Sequence, residues 1–176
     1  MAKLDVYPDK EMFNYVLNYF DELGIDLDEI AKQAVDHQKK YLPSLTLEDG
    51  HKRIYAILHK REVLNNLMTA IALDELANKK MLPEPLQSIV NRDAGVYGVD
   101  EALAIANSIL AGSIAVTNYG FLDVKKSKVA KHLDDLQKSG KMITVFIDDQ
   151  ISALQAMVEG SLAHKKETSS FDEDTL

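Results

Sequence analysis

The chain has 176 residues, with 20 Lys and Arg against 28 Asp and Glu, no Cys and no Trp. The length suits one domain, and the lack of cysteine excludes disulfides, thiolate-held zinc, iron–sulfur clusters and thiol nucleophiles. A net charge of −8 argues against nucleic acid as a partner, since that needs a basic stripe facing the phosphates.

Pro8-Asp9 opens a first helical pattern, with Met12, Tyr15, Val16, Tyr19, Phe20 and Leu23 on one stripe and Gly24 as its stop. Leu27, Ile30, Ala31, Ala34, Val35 and Gln38 carry a second, which ends before Leu42-Pro43. Thr46 and Asp49 read as a capping box that starts a third, running through Ile54, Ile57 and Leu58. A fourth begins at Lys60 and continues through Val63, Leu67, Ala70, Ile71 and Leu76 to Met81. Pro83-Glu84-Pro85 breaks it, and a short helix follows near 86–91. Ile143–Ile147 is the only β-favouring run, and it leads straight into a helical pattern. The expected class is therefore all-α: a single-domain multihelical bundle of six to eight helices over 1–164. Residues 165–176 read as a disordered tail, because they have too little apolar surface to fold alone.

Residues 102–122 form a stretch of 21 without a charge. Such a segment has the length of a membrane span. Its many alanines and its Asn107, Ser108, Thr117 and Asn118 favour a buried element instead, either an alanine-rich central helix or a helical hairpin. The MAKLDVYPDK start has no apolar signal-peptide core, so a cytoplasmic protein is expected. The many apolar stripes are compatible with homo-oligomerisation.

Three acidic pairs lie in apolar surroundings: Asp74-Glu75, Asp100-Glu101 and Asp148-Asp149. Buried carboxylates are costly unless cations or hydrogen bonds compensate. Asp74-Glu75 reads as an exposed edge, with Lys79 four residues beyond Glu75. Asp100-Glu101 and Asp148-Asp149 sit at helix starts, where acids also stabilise the positive dipole end, so a dipole role and an inward role stand level. On the last helix Ile147, Ile151, Leu154 and Val158 make the large apolar stripe. Asp149, Ala153, Ala156 and Gly160 make a small-residue stripe, and Asp148, Ser152, Gln155 and Glu159 a polar one. Histidines 37, 51, 59, 132 and 164 lack the spacing of a zinc or copper site. Converging carboxylates would instead select Mg²⁺, Mn²⁺ or Ca²⁺.

The order GVDE (Gly98–Glu101), LDVKK (Leu122–Lys126), FIDDQISA (Phe146–Ala153) resembles the phosphatidylglycerophosphatase A family, which shows a DE pair, an LDxxKP segment and an IDD motif. The resemblance covers roughly 60–164 and leaves 1–58 outside. It implies Mg²⁺-dependent hydrolysis of phosphatidylglycerophosphate or a related phosphomonoester, with Mn²⁺ as the alternative cation. It also implies Glu101, Asp148 and Asp149, then Asp100, as metal ligands. Asp123 would be a further ligand or a general base, and Lys126 would hold a phosphate oxygen. Ser127 replaces the motif proline, and the multiple membrane spans of the family's membrane members are not visible. The resemblance thus implies a soluble branch, with peripheral membrane contact through the lysines from Lys125 to Lys131. The competing expectation is a non-catalytic helical regulatory or stress-related interaction protein whose acidic pairs are helix caps. One straight helix over 101–123 would put Glu101 and Asp123 about 33 Å apart. A shared site therefore requires a break near Gly112.

Overall fold

The computed structural model describes residues 6–164, and every regular element among them is a helix. Its helices are α1 (Asp9–Glu22), α2 (Leu27–Gln38), α3 (Leu47–Leu58), α4 (Arg61–Asn78), α5 (Leu86–Asn91), α6 (Val99–Ile109), α7 (Ser113–Val124), α8 (Lys128–Lys138) and α9 (Val145–Ala163). Nine helices among the described residues exceed the expected six to eight. The expected tail, 165–176, lies outside the described residues.

Local rules account for most boundaries. Thr46 Oγ1 accepts from Asp49 N at 3.2 Å while Asp49 Oδ2 accepts from Thr46 N at 3.0 Å, which completes the capping box of α3. The α6–α7 break falls at Gly112, whose φ of 86° is one that glycine alone adopts freely. The hairpin form of the uncharged stretch therefore holds, and no described helix is long and apolar enough to cross a membrane.

The centre of the bundle is α9. Of its 19 residues all but Ser161 and Ala163 are buried, and α2, α3, α4, α6, α7 and α8 all pack on it. Ile147, Ile151, Leu154, Met157 and Val158 enter the main apolar core with residues of α1 to α4. The small-residue stripe allows α7 to come close. A Cβ built on Gly160 would lie 3.1 Å from the Ala111 carbonyl oxygen and 3.1 Å from Ala115 Cβ.

The polar stripe of α9 is buried too. Glu159, only 2 % exposed, accepts from Asn118 Nδ2 at 2.7 Å and from Gln155 Nε2 at 3.0 Å, and His37 Nδ1 lies 2.8 Å from it. Partners from α2 and α7 thus join Gln155, one turn back on α9, in satisfying this carboxylate.

Asp74 corrects the expectation of an exposed edge. It is fully buried, and its two oxygens accept from Phe146 N at 3.1 Å and Ile147 N at 2.8 Å. The start of α9 has no capping side chain of its own, so α4 supplies the cap. One turn further along α4, Asn78 donates to the Ile143 carbonyl at 2.7 Å and accepts from Ile143 N at 2.9 Å. These side chains occupy backbone groups of the β-favouring run that a sheet partner would otherwise take. Glu75 does lie on the edge, pairing with Lys79 at 2.8 Å and accepting from the Tyr15 hydroxyl at 2.8 Å.

Candidate metal centre

Three helices bring the acids together. The first turn of α6 carries Asp100 and Glu101, entered through Gly98 at φ 67°. The first turns of α9 carry Asp148 and Asp149, fixed by Asp74 beneath them and by the Tyr97 ring, which meets Phe146 edge-on at 5.9 Å. The end of α7 and the residues just after it supply Asp123 and Lys126. Folding at Gly112 is what returns this end to the start of α6.

One oxygen each from Asp100, Glu101 and Asp149 lie within 4.8 Å of one another. Oxygens on opposite sides of a Mg²⁺ ion are about 4 Å apart, since each bond is about 2.0–2.1 Å. Side-chain rotation of under about 1 Å would close the set on an ion. Asp100 Oδ1 and Glu101 Oε2 are buried without a protein partner among the described residues, leaving acceptor capacity for a cation. The donor set is all oxygen, which suits Mg²⁺ or Mn²⁺.

Asp148 stands apart from these three. Its carboxylate is paired with Lys126, whose ammonium also lies 3.6 Å from Asp123 and 3.8 Å from Asp149. Lys126 therefore neutralises part of the cluster and joins Asp123 to it. Asp123 is the more exposed member, and it lines a cavity of about 380 Å³ with Lys125, Lys126, Lys131, Asp134 and Lys138.

The electrostatics follow from burial. Asp149 is pushed well above the carboxylate range by desolvation first, then by Asp148 and Asp123. Asp148 is raised to about 6, with burial outweighing the attraction of Lys126. Asp100 is raised by burial first and then by the neighbouring Glu101, while Glu101 is lowered, chiefly by the Asp100 carboxyl beside it. Burial opposes the charge on Lys126, yet Asp148, Asp149 and Asp123 together hold its pKa up. Acids so crowded favour either protons or a cation among them.

Of the six sequence-predicted site residues, Asp100, Glu101 and Asp149 make the close set. Asp148, Asp123 and Lys126 form the ion-paired rim. The sequence pattern misplaces one residue and does not signal another. Asp74 sits in an ordinary amphipathic pattern, and its capping role appears only when α4 meets α9. Tyr119 is 3 % exposed, its hydroxyl has no partner among the described residues, and the charges of Asp149, Asp123, Glu101 and Asp100 help raise its pKa after burial. Its one sequence signal is a position four residues before Asp123 in an otherwise apolar helix.

Comparison with known proteins agrees with the motif order. The sequence model of the family described as Phosphatidylglycerophosphatase A matches residues 42–164, so the likeness begins earlier than the motifs alone indicate. The chain is 41 % identical over 144 residues to the uncharacterized protein YutG of Bacillus subtilis, covering 82 % of this chain and 86 % of that one. The crystal structure of ypjQ from Bacillus subtilis superposes with a TM-score of 0.83 at 36 % identity, covering 91 % of this chain and 98 % of that one. The low temperature requirement C protein from Listeria monocytogenes gives 0.80 at 38 % identity, covering 88 % and 96 %.

Proposed function

Because the chain belongs to the phosphatidylglycerophosphatase A family, we propose that it is a Mg²⁺-dependent phosphomonoester hydrolase acting on phosphatidylglycerophosphate or a related phosphate ester. The observation that carries this reading is the convergence of Asp100, Glu101 and Asp149 within 4.8 Å, with Lys126 beside them. A structural set of helix caps has no reason to converge from two helices that start 46 residues apart in sequence, at Val99 and Val145.

Asp100, Glu101 and Asp149 would hold the cation, with Mn²⁺ as a substitute. When bound, Mg²⁺ supplies charge neutralisation at the phosphoryl group and eases deprotonation of a coordinated water. Asp148 holds the Lys126 ammonium between Asp123 and Asp149. From there Lys126 can meet a phosphate oxygen as a point charge. Asp123, the more open carboxylate, would accept the proton of the attacking water, while the ester oxygen leaves and is protonated from solvent. The lysines around the neighbouring cavity favour an anionic substrate and would allow contact with anionic headgroups at a membrane surface. A cytoplasmic protein, free or peripheral at the membrane, is part of the same reading.

The test is phosphate release from phosphatidylglycerophosphate, with and without Mg²⁺, by wild type and by the double variant Glu101→Ala plus Asp149→Ala. Mg²⁺-dependent release that the double variant loses is the expected result. No release by wild type, or undiminished release by the variant, rejects the reading.

A further inference from the structure

Tyr119 lies on α7, one turn before Asp123. Its ring packs with Ala104 of α6 and with Ala153 and Ala156 of α9. Ala104 is one turn beyond Asp100, and Ala153 one turn beyond Asp149. The phenol therefore sits where the three acid-bearing helices meet, one turn deeper than the carboxylates. A buried tyrosine hydroxyl normally finds a hydrogen-bond partner. This one has none among the described residues, and phenylalanine would fill the same space without a polar atom to bury. The carboxylates whose charge reaches it are Asp149, Asp123, Glu101 and Asp100, three of them the proposed cation ligands. Burial and these carboxylates raise its pKa, so the hydroxyl keeps its proton and remains a donor.

We propose that the Tyr119 hydroxyl is a further group of the cation centre, a donor that would hydrogen-bond a water of the cation that Asp100, Glu101 and Asp149 would hold. This rests on the cation reading above. In this role Tyr119 orients the water without giving up its proton. The ring supplies packing, and the hydroxyl alone supplies the bond.

The chain has seven tyrosines and no tryptophan, so its near-ultraviolet absorption reports on tyrosine. Mg²⁺ is titrated into wild type, Tyr119→Phe and Tyr97→Phe, with uptake measured by calorimetry and the tyrosine difference spectrum recorded in parallel. Tyr97→Phe is the control, because that ring also lies near the centre but packs on Phe146. Wild type and Tyr97→Phe should show a difference spectrum that saturates with Mg²⁺. Tyr119→Phe should lose it, and should bind Mg²⁺ roughly two- to tenfold more weakly, the worth of one hydrogen bond. Its melting temperature without metal should not fall, because the ring remains and only an unpartnered hydroxyl is gone. Mg²⁺ uptake by Tyr119→Phe with wild-type affinity and an unchanged spectrum overturns the role of Tyr119 and leaves the cation centre standing. No Mg²⁺ uptake by wild type overturns both.

Discussion

Replacing Asp74 by alanine should be among the more damaging single changes in this chain, although no exposed feature marks the residue. The substitution leaves the N–H groups of Phe146 and Ile147 buried without acceptors, where they now bond at 3.1 and 2.8 Å. Each unpaired buried group costs about 1–3 kcal/mol, so the loss is about 2–6 kcal/mol. At roughly 2–4 °C per kcal/mol for a chain of this size, a central value of about 4 kcal/mol lowers the melting temperature by about 8–16 °C. Asp74→Asn keeps one acceptor and should lose about half as much. The neighbour Glu75 pairs at the edge with Lys79 and Tyr15, so Glu75→Ala should cost under about 1 kcal/mol. Thermal melts followed by far-ultraviolet circular dichroism provide the measurement. Asp74→Ala melting within about 3 °C of wild type, or Glu75→Ala melting as low as Asp74→Ala, would refute the capping argument.

The remaining expectations concern the centre and its packing. Burial raises Asp74 to about 8 and Asp148 to about 6, both above the ordinary carboxylate range. The folded chain therefore binds more protons than the unfolded chain between about pH 4 and pH 8, and metal-free stability should decline as pH rises through that window; a flat or rising melting temperature contradicts this. Mg²⁺ must displace protons from Asp149 and Asp100, both raised by burial, so calorimetric affinity should strengthen from pH 6 to pH 8 by roughly tenfold or more. Asp149→Asn should weaken Mg²⁺ binding by well over tenfold while raising metal-free stability, since it removes a crowded buried acid; weaker folding without metal counts against the electrostatic account. Gly160→Ala forces α7 and α9 apart at contacts of 3.1 Å that include the Ala111 backbone, and should cost about 1–3 kcal/mol by denaturant titration.

Much of the helical frame was legible because its signals are local. Gly24, the Thr46–Asp49 box, Pro85 and Gly112 each act within a few residues of themselves, and the structure uses each where the sequence places it. The motif trio likewise pointed to Asp100, Glu101 and Asp149, and the Gly112 turn needed to unite them could be argued from length alone. What stayed hidden depends on partners far along the chain. Asp148, Ser152, Gln155 and Glu159 read as a polar face because period shows only that they share a side, not what covers it. His37 of α2 and Asn118 of α7 cover one end and Lys126 the other. Asp74 was misread for the same reason, since nothing near it in sequence tells of the two amides 72 and 73 residues away. Tyr119 was missed because an aromatic in an apolar helix reads as packing, and its ring does pack.

The central position of α9 also bears on how the protein is made. A chain emerging from the ribosome presents α1 to α8 first, and domains generally fold as units during synthesis. Until Val145–Ala163 appears, the surrounding helices have no centre to close on, Asp74 has no amides to receive, and Glu101 lacks its partner Asp149. A nascent chain stopped before Val145 should therefore be protease-sensitive along its whole length, and extension through Ala163 should confer resistance in a single step. Such timing ties the acquisition of the acid cluster to the completion of the fold, so that no half-made chain carries it.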